Sequence, residues 1–300
     1  MITTMKGRDS MGTQVVVHNV SLQYKNFPAL KNISFTLGEG KIYGLIGRNG
    51  AGKTSLLSLL ASFREPSSGK ILINGEEPFE NASVMEQVCF IYEKDYKDES
   101  EKVPALLEAV ERYRPHYDKD YANYLTRRFK LPMNKSLKSL SRGMQSVFNV
   151  VIGLASRCPI TILDEAYLGM DAPTREVFYQ ELLADQGNYP RTFILSTHLV
   201  SEMDYLFDEV LILDRGSLIL QENYEEFISR ASSITGPAEV VDEFIHGMQK
   251  LNEQRLGNTK SVMIYGVLSE RQQQSALAKG LQIGPVSLQD LFIHLTKEEE

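Results

Sequence analysis

The chain contains no apolar run approaching the roughly 18 residues that a membrane-spanning helix needs. It has only two cysteines, Cys89 and Cys158, both in apolar, strand-like surroundings. That is too few for a disulfide framework, and both read as small reduced core residues of a cytosolic protein. A basic excess is missing too: 32 Lys and Arg stand against 39 Asp and Glu, a net charge of −7. A sequence-independent nucleic-acid binder needs a basic face, so this balance argues against that class. Neither an internal repeat nor a sustained heptad occurs, which removes solenoids and long coiled-coil arms. Residues 1–13 carry Lys6 and Arg8 with no apolar core after them, and are expected to be a flexible tail rather than a signal peptide.

What is present reads as globular, with 42% hydrophobic and 24% charged residues. The most informative stretch is Gly47-Arg48-Asn49-Gly50-Ala51-Gly52-Lys53-Thr54, which matches the phosphate-binding pattern GxxxxGK[ST]. Glycines let consecutive N–H groups turn inward as a nest, and a helix starting near Gly52 adds its N-terminal dipole. Lys53 would reach the outer phosphates, and the Thr54 hydroxyl would ligate Mg²⁺. The flanks fit: Lys41 to Ile46 is apolar enough for a buried strand, and Ser55 to Leu60 reads as a buried helix. A nucleoside triphosphate is therefore the expected ligand.

Strand-rich segments at Val15–Tyr24 and Leu30–Leu37 precede that loop, and Ile71–Ile73 follows it, ending at the hairpin signal Asn74-Gly75. From Glu93 to about Gly153 the pattern turns helical, an insert between the strands of an α/β core. Ile160–Leu163 and Thr192–Leu195 are buried strands around a helix with Pro173 in its first turn. Strands alternating with helices imply a largely parallel sheet, with ligands at the C-terminal ends of its strands. A boundary is expected near Ser232–Pro237. Beyond it, Val241, Phe244, Ile245, Met248 and Leu251 would share one helical face, and Ser269/Gln272 and Ser287/Asp290 have capping-box spacing.

Asp164 and Glu165 follow the Ile160–Leu163 strand. Beside a phosphate-binding loop they suggest a division of labour, with Asp164 holding Mg²⁺ and Glu165 acting as general base for water. His198, after Ser196-Thr197, is placed to bond a γ-phosphate or align that water. Ser141 is a good helix N-cap, and Gly143 permits close backbone approach.

These motifs, in this order, resemble an ATP-binding-cassette (ABC) ATPase subunit over about residues 14–230. Gly47–Thr54 looks like its Walker A motif and Ile160–Glu165 like its Walker B motif. Ser141–Gln145 resembles the LSGGQ signature, Leu168-Gly169-Met170-Asp171 the D-loop, and His198 the switch histidine. Tyr24 stands where an aromatic stacks on adenine, and Glu93 where the family carries the Q-loop glutamine. Arg142 and Met144 depart from the signature. Such features resemble a branch of bacterial ATPases that power drug and peptide exporters, the YtrB-like group.

The resemblance implies an α/β P-loop NTPase core with an antiparallel β subdomain over residues 14–232. A helical insert would occupy about 94–155, and a small α+β accessory domain 233–300. It implies ATP held by Tyr24, Asn49, Gly50, Ala51, Gly52, Lys53, Thr54 and Ser55. Ser141 and Gly143 would come from the facing chain. Mg²⁺ would sit by Thr54, Asp164 and Glu93, and catalysis would fall to Glu165, His198 and Lys53. The implied partners are an integral membrane permease and a second cassette, identical or paralogous, at the inner face of the cell membrane. A soluble ABC ATPase acting on ribosomes or nucleic acid is the alternative; the single Walker A motif and the acidic charge count against it. A GTPase would need NKxD, and Asn134-Lys135-Ser136-Leu137 lacks the aspartate.

Overall fold

The computed structural model describes residues 13–296. The expected N-terminal tail and the acidic end Glu298–Glu300 lie almost wholly outside them. By its contacts the chain divides into two compact units, residues 1–198 with 213–219, and residues 199–212 with 220–300.

The first unit opens with β1 (Val15–Tyr24) and β2 (Phe27–Leu37). After β3 (Ile42–Gly47) and α1 (Lys53–Leu60) comes β4 (Ser68–Ile73), and β2-β1-β4 form an antiparallel sheet. The alternating burial of β1, Val15 and Val17 inward against exposed His18, is that of a sheet with one wet face. Asn74 and Gly75 both have positive φ, 53° and 83°, as the hairpin signal requires. A short α2 (Ala82–Met85) then leads into β5 (Val88–Ile91).

The expected helical insert is α3 (Val103–Tyr113), α4 (Lys119–Arg128) and α5 (Arg142–Ala155). Asp118 caps α4 and Ser141 caps α5, each side chain accepting an N–H of the first turn. The chain then runs through β6 (Ile160–Asp164), α6 (Ala172–Asn188), with Pro173 in its first turn, and β7 (Thr192–Thr197). Parallel pairing in the order β5-β6-β7-β3 places β7 beside the strand that feeds the glycine loop, with β6 on the far side of β7. Every residue of β3, β6 and β7 is buried, so these strands are apolar without alternation because both faces are covered.

The tip of a later hairpin, residues 213–219, completes this unit. Its turn, Arg215-Gly216, has φ of 46° and 80°. The Gly216 N–H donates to Ala51 O at 3.0 Å, and Gly216 O accepts from Lys31 N at 2.7 Å. A Cβ on Gly216 would lie 2.6 Å from Ala29 O, so only glycine lets this tip press against the loop and β2.

The second unit contains α7 (Val200–Met203), parts of β8 (Glu209–Asp214) and β9 (Ser217–Asn223), and α8 (Tyr224–Ser229). Then follow β10 (Ala231–Pro237), α9 (Ala238–Phe244), β11 (Gln249–Leu256), β12 (Thr259–Tyr265), α10 (Glu270–Ala278) and β13 (Gln282–Gly284). The order in space is β11-β12-β10-β13, a βαββαβ arrangement of the split type. Ile234, Val241, Val262, Ile264, Ala276 and Leu281 form its core. Two expectations are corrected. Ser232–Pro237 is not a linker but most of β10; its small residues face close neighbours, a Cβ on Gly236 falling 2.5 Å from Leu281 Cδ2. The expected start of the accessory domain at 233 thus falls inside a strand. The helix through Val241 stops at Phe244, and Leu251 lies on β11. Gly247, at φ 80°, makes the turn between them. The full capping box at Ser269/Gln272 and the Ser287 cap of α11 (Leu288–Leu295) are present. Among the described residues, no helix is long and apolar enough to cross a membrane.

Candidate functional site

The C-terminal ends of β3, β6 and β7 deliver the site. The chain leaves β3 at Gly47 and turns through Gly50 (φ 83°) and Gly52 (φ 107°) into α1. A Cβ on Gly52 would lie 2.8 Å from Leu30 Cδ2 and 2.9 Å from Ala29 O, so conformation and space both demand glycine. Gly52 is also the N-cap of α1 and offers no side-chain cap, leaving the first-turn N–H groups for an anion. The Ala51 N–H closes a turn onto Arg48 O at 3.0 Å.

Lys53 is 6% exposed, and its ammonium donates to Gly47 O at 2.7 Å and Arg48 O at 3.4 Å. It lies 3.7 Å from Glu165 Oε1. Thr54 Oγ1 donates to Asp164 Oδ2 at 2.7 Å, while Ser196 Oγ donates to Asp164 Oδ1 at 2.5 Å. Both oxygens of this buried carboxylate are thereby oriented, one from α1 and one from β7. Glu165 sits at φ 50°, a left-handed conformation that costs a non-glycine residue free energy. That backbone turns its carboxylate so that Oε2 lies 2.6 Å from His198 Nδ1.

An open cleft of about 500 Å³ gathers most of the expected residues: Tyr24, Asn49, Gly50, Gly52, Lys53, Thr54, Ser55, Glu93, Asp164 and Glu165. Ala51 is buried and does not line it. His198 joins through Glu165. Tyr24 OH lies 3.4 Å from Ser55 Oγ, and the Arg64 guanidinium stands 4.8 Å over the Tyr24 ring. Phe27, 63% exposed, also lines the cleft from the first residue of β2; it was missed because a single apolar residue at a strand end carries no spacing signal. Ser196 was missed as the second holder of Asp164, although its place two residues before His198 was visible.

Ser141 and Gly143 are not part of this cleft. Ser141 is exposed and accepts the Met144 N–H at 3.3 Å. A Cβ on Gly143 would fall 2.4 Å from Gly169 O, and Ser146 Oγ donates to Leu168 O at 2.6 Å. The start of α5 is thus fastened to the loop after Glu165. A second cleft of about 520 Å³ runs past Arg142, Gln145 and Gly169, and Glu93 lines both.

The donor set suits a magnesium nucleotide. Backbone N–H groups and an ammonium face the phosphate position, with a hydroxyl and a carboxylate beside them. Among the described residues no group of three or more His, Cys, Asp or Glu could hold a metal alone. An ion such as Mg²⁺ takes one or two carboxylates plus phosphate oxygens and water, and Thr54 Oγ1 and Asp164 stand side by side as such donors.

Comparison with known proteins points the same way. Residues 30–168 match the family model described as ABC transporter. The ABC transporter ATP-binding protein YtrB of Bacillus subtilis (strain 168) is 29% identical over 203 residues, 66% of this chain and 70% of that protein. An uncharacterized ABC transporter ATP-binding protein of the same organism, YcbN, is 23% identical over 299 residues, 95% of this chain and 94% of its own. Among solved structures, an ATP binding subunit of an ABC transporter superposes with a TM-score of 0.65 at 23% identity, over 71% of this chain and 90% of that one.

Proposed function

We propose that this chain, whose residues 30–168 match the ABC transporter family model, hydrolyses ATP to drive export of drugs or peptides through a separate membrane permease. It works as a dimer of two cassettes, identical or paralogous, on the cytoplasmic face of the membrane, and takes no nucleic acid. The observation that carries the reading is the meeting of three strand ends at one cleft, with Thr54 on Asp164 and His198 on Glu165.

In each site Lys53 leaves Gly47 O for the outer phosphates, and Tyr24 stacks on the adenine. Thr54, Asp164 and Glu93 would hold Mg²⁺, which would supply charge neutralisation at the phosphates. Glu165 accepts the proton of the attacking water, and His198 orients it with the γ-phosphate. Ser141 and Gly143 of the facing chain close the site, for which the exposure of Ser141 is suited. Closure requires contacts made only with the triphosphate, so its loss reopens the dimer.

The permease docks in the groove between β5 and the helical insert. That groove, of about 350 Å³, is lined by Phe90, Tyr92, Tyr96, Val110, Tyr113 and Phe148. Tyr113 is 82% exposed, and Phe63, 56% exposed, meets Phe90 and Tyr92 edge-on at 5.3 and 5.5 Å. Such an aromatic, amphipathic rim suits a protein interface.

The test is size-exclusion of Glu165→Gln with Mg-ATP, expected to run as a dimer that the nucleotide-free protein does not form. A monomer at saturating ATP would overturn the sandwich. Co-purification with a multi-span membrane protein, lost on Tyr113→Glu, checks the groove.

A further inference from the structure

The loop after Glu165 holds the end of β7 through Tyr167, a side chain outside the nucleotide cleft. Tyr167 is 2% exposed. A phenol hydroxyl so deeply placed needs partners. One is the Thr197 hydroxyl, 2.9 Å away and itself wholly buried. A second is the backbone N–H of His198, which donates to the Tyr167 oxygen at 3.4 Å.

The place of this contact matters. Pairing of β7 with β6 ends at Asp164 and Ser196, and pairing with β3 ends at Ile46 and Thr197. His198 is therefore the first residue beyond the sheet on either side, where no ladder fixes its backbone. Tyr167 supplies an acceptor there. The same loop grips the His198 ring from the other end, Nδ1 on Glu165 Oε2 at 2.6 Å. Two fastenings, from residues 165 and 167, thus determine where the imidazole stands.

We propose that Tyr167 is a positioning residue for ATP hydrolysis: its hydroxyl fixes the His198 backbone, so that the ring meets Glu165 in one place only. The inference rests on the reading of Glu165 and His198 as site residues. Reacting groups displaced by about 1 Å lose on the order of a hundredfold in rate, so a weak bond at this point has a kinetic effect out of proportion to its strength.

The experiment is Tyr167→Phe in the full chain, which keeps the ring and removes one oxygen. The kcat for ATP falls about tenfold with KM unchanged, since the hydroxyl does not touch the cleft. In a His198→Ala background the same substitution changes kcat by less than about twofold. An unchanged kcat, or an equal loss in both backgrounds, overturns the proposal. Nitrogen-15 NMR of the histidine rings reads the tether without turnover: Tyr167→Phe shifts the His198 signals and leaves His18, His116, His246 and His294 in place. Unmoved His198 signals overturn it. Should the wild-type chain fail to hydrolyse ATP, the functional reading falls, while the NMR still decides the tether. If Tyr167→Phe does not fold, Thr197→Val removes the hydroxyl's Thr197 partner, with a smaller loss of kcat and the same signal shift expected. No shift there counts equally against the proposal.

Discussion

Glu165 and His198 hold one another, carboxylate to imidazole, across the gap between β6 and β7. Removing the acid while keeping its shape separates binding from chemistry. Glu165→Gln is expected to bind ATP as the wild type does and to lose about 10²–10⁴-fold in kcat, the usual worth of a general base. A coupled ATPase assay with equilibrium nucleotide binding checks both halves.

Lys53, now donating to Gly47 O and Arg48 O, is expected to trade those carbonyls for phosphate on binding. Lys53→Ala removes charge-assisted bonds worth about 1.5–3 kcal/mol each, so the Kd for ATP should rise roughly 10–100-fold by calorimetry. Unchanged affinity would remove the glycine loop as the phosphate cradle.

Arg157 stands between the Tyr121 and Tyr189 rings, 4.2 and 4.0 Å from their centroids, and pairs with Asp118 and with the buried Asp185. The Arg191 guanidinium lies 2.7 Å from the other oxygen of Asp185 as an ion pair. Arg157→Met should destabilise the first unit by about 3 kcal/mol in urea unfolding, because it strips a buried carboxylate of one of its two cations.

Gly143→Ala drives a methyl to 2.4 Å from Gly169 O. The start of α5 must then move off the loop after Glu165. An overpacking cost of about 1–3 kcal/mol is expected in thermal unfolding, together with loss of turnover if the α5 terminus completes the facing site.

Burial pushes the hydroxyls of Tyr96, Tyr117 and Tyr121 up to about 12. An unfolded tyrosine ionises near 10, so these groups favour the folded state below pH 10. That contribution is lost as pH rises from 10 towards 12. Absorbance titration at 295 nm should resolve a late-ionising class among the 14 tyrosines, merging with the rest when the chain unfolds.

Local chemistry made much of the site legible before any fold was known. The glycine loop, the Asp164–Glu165 pair and the Ser141 cap are each written in a few adjacent residues, and the structure places each on the element expected. Contacts between distant segments were not legible. Nothing near Tyr167 announces that its hydroxyl reaches His198, and nothing near Gly143 announces Gly169. The strand at Ser232–Pro237 was hidden because it has one inward apolar side chain, Ile234, among small polar neighbours. The helix at Val241 was overextended because Ile245 and Met248 keep packing on the same core after the helix has ended.

The grip of Gly216 on Ala51 and Lys31 bears on how the molecule spends its binding energy. A glycine loop tied at Ala51 to a turn that is itself tied to β2 has less freedom to surrender when a triphosphate arrives. Affinity gained that way need not be consumed in ordering the cradle. Gly216→Ala is expected to weaken nucleotide capture first, through a residue that does not line the cleft.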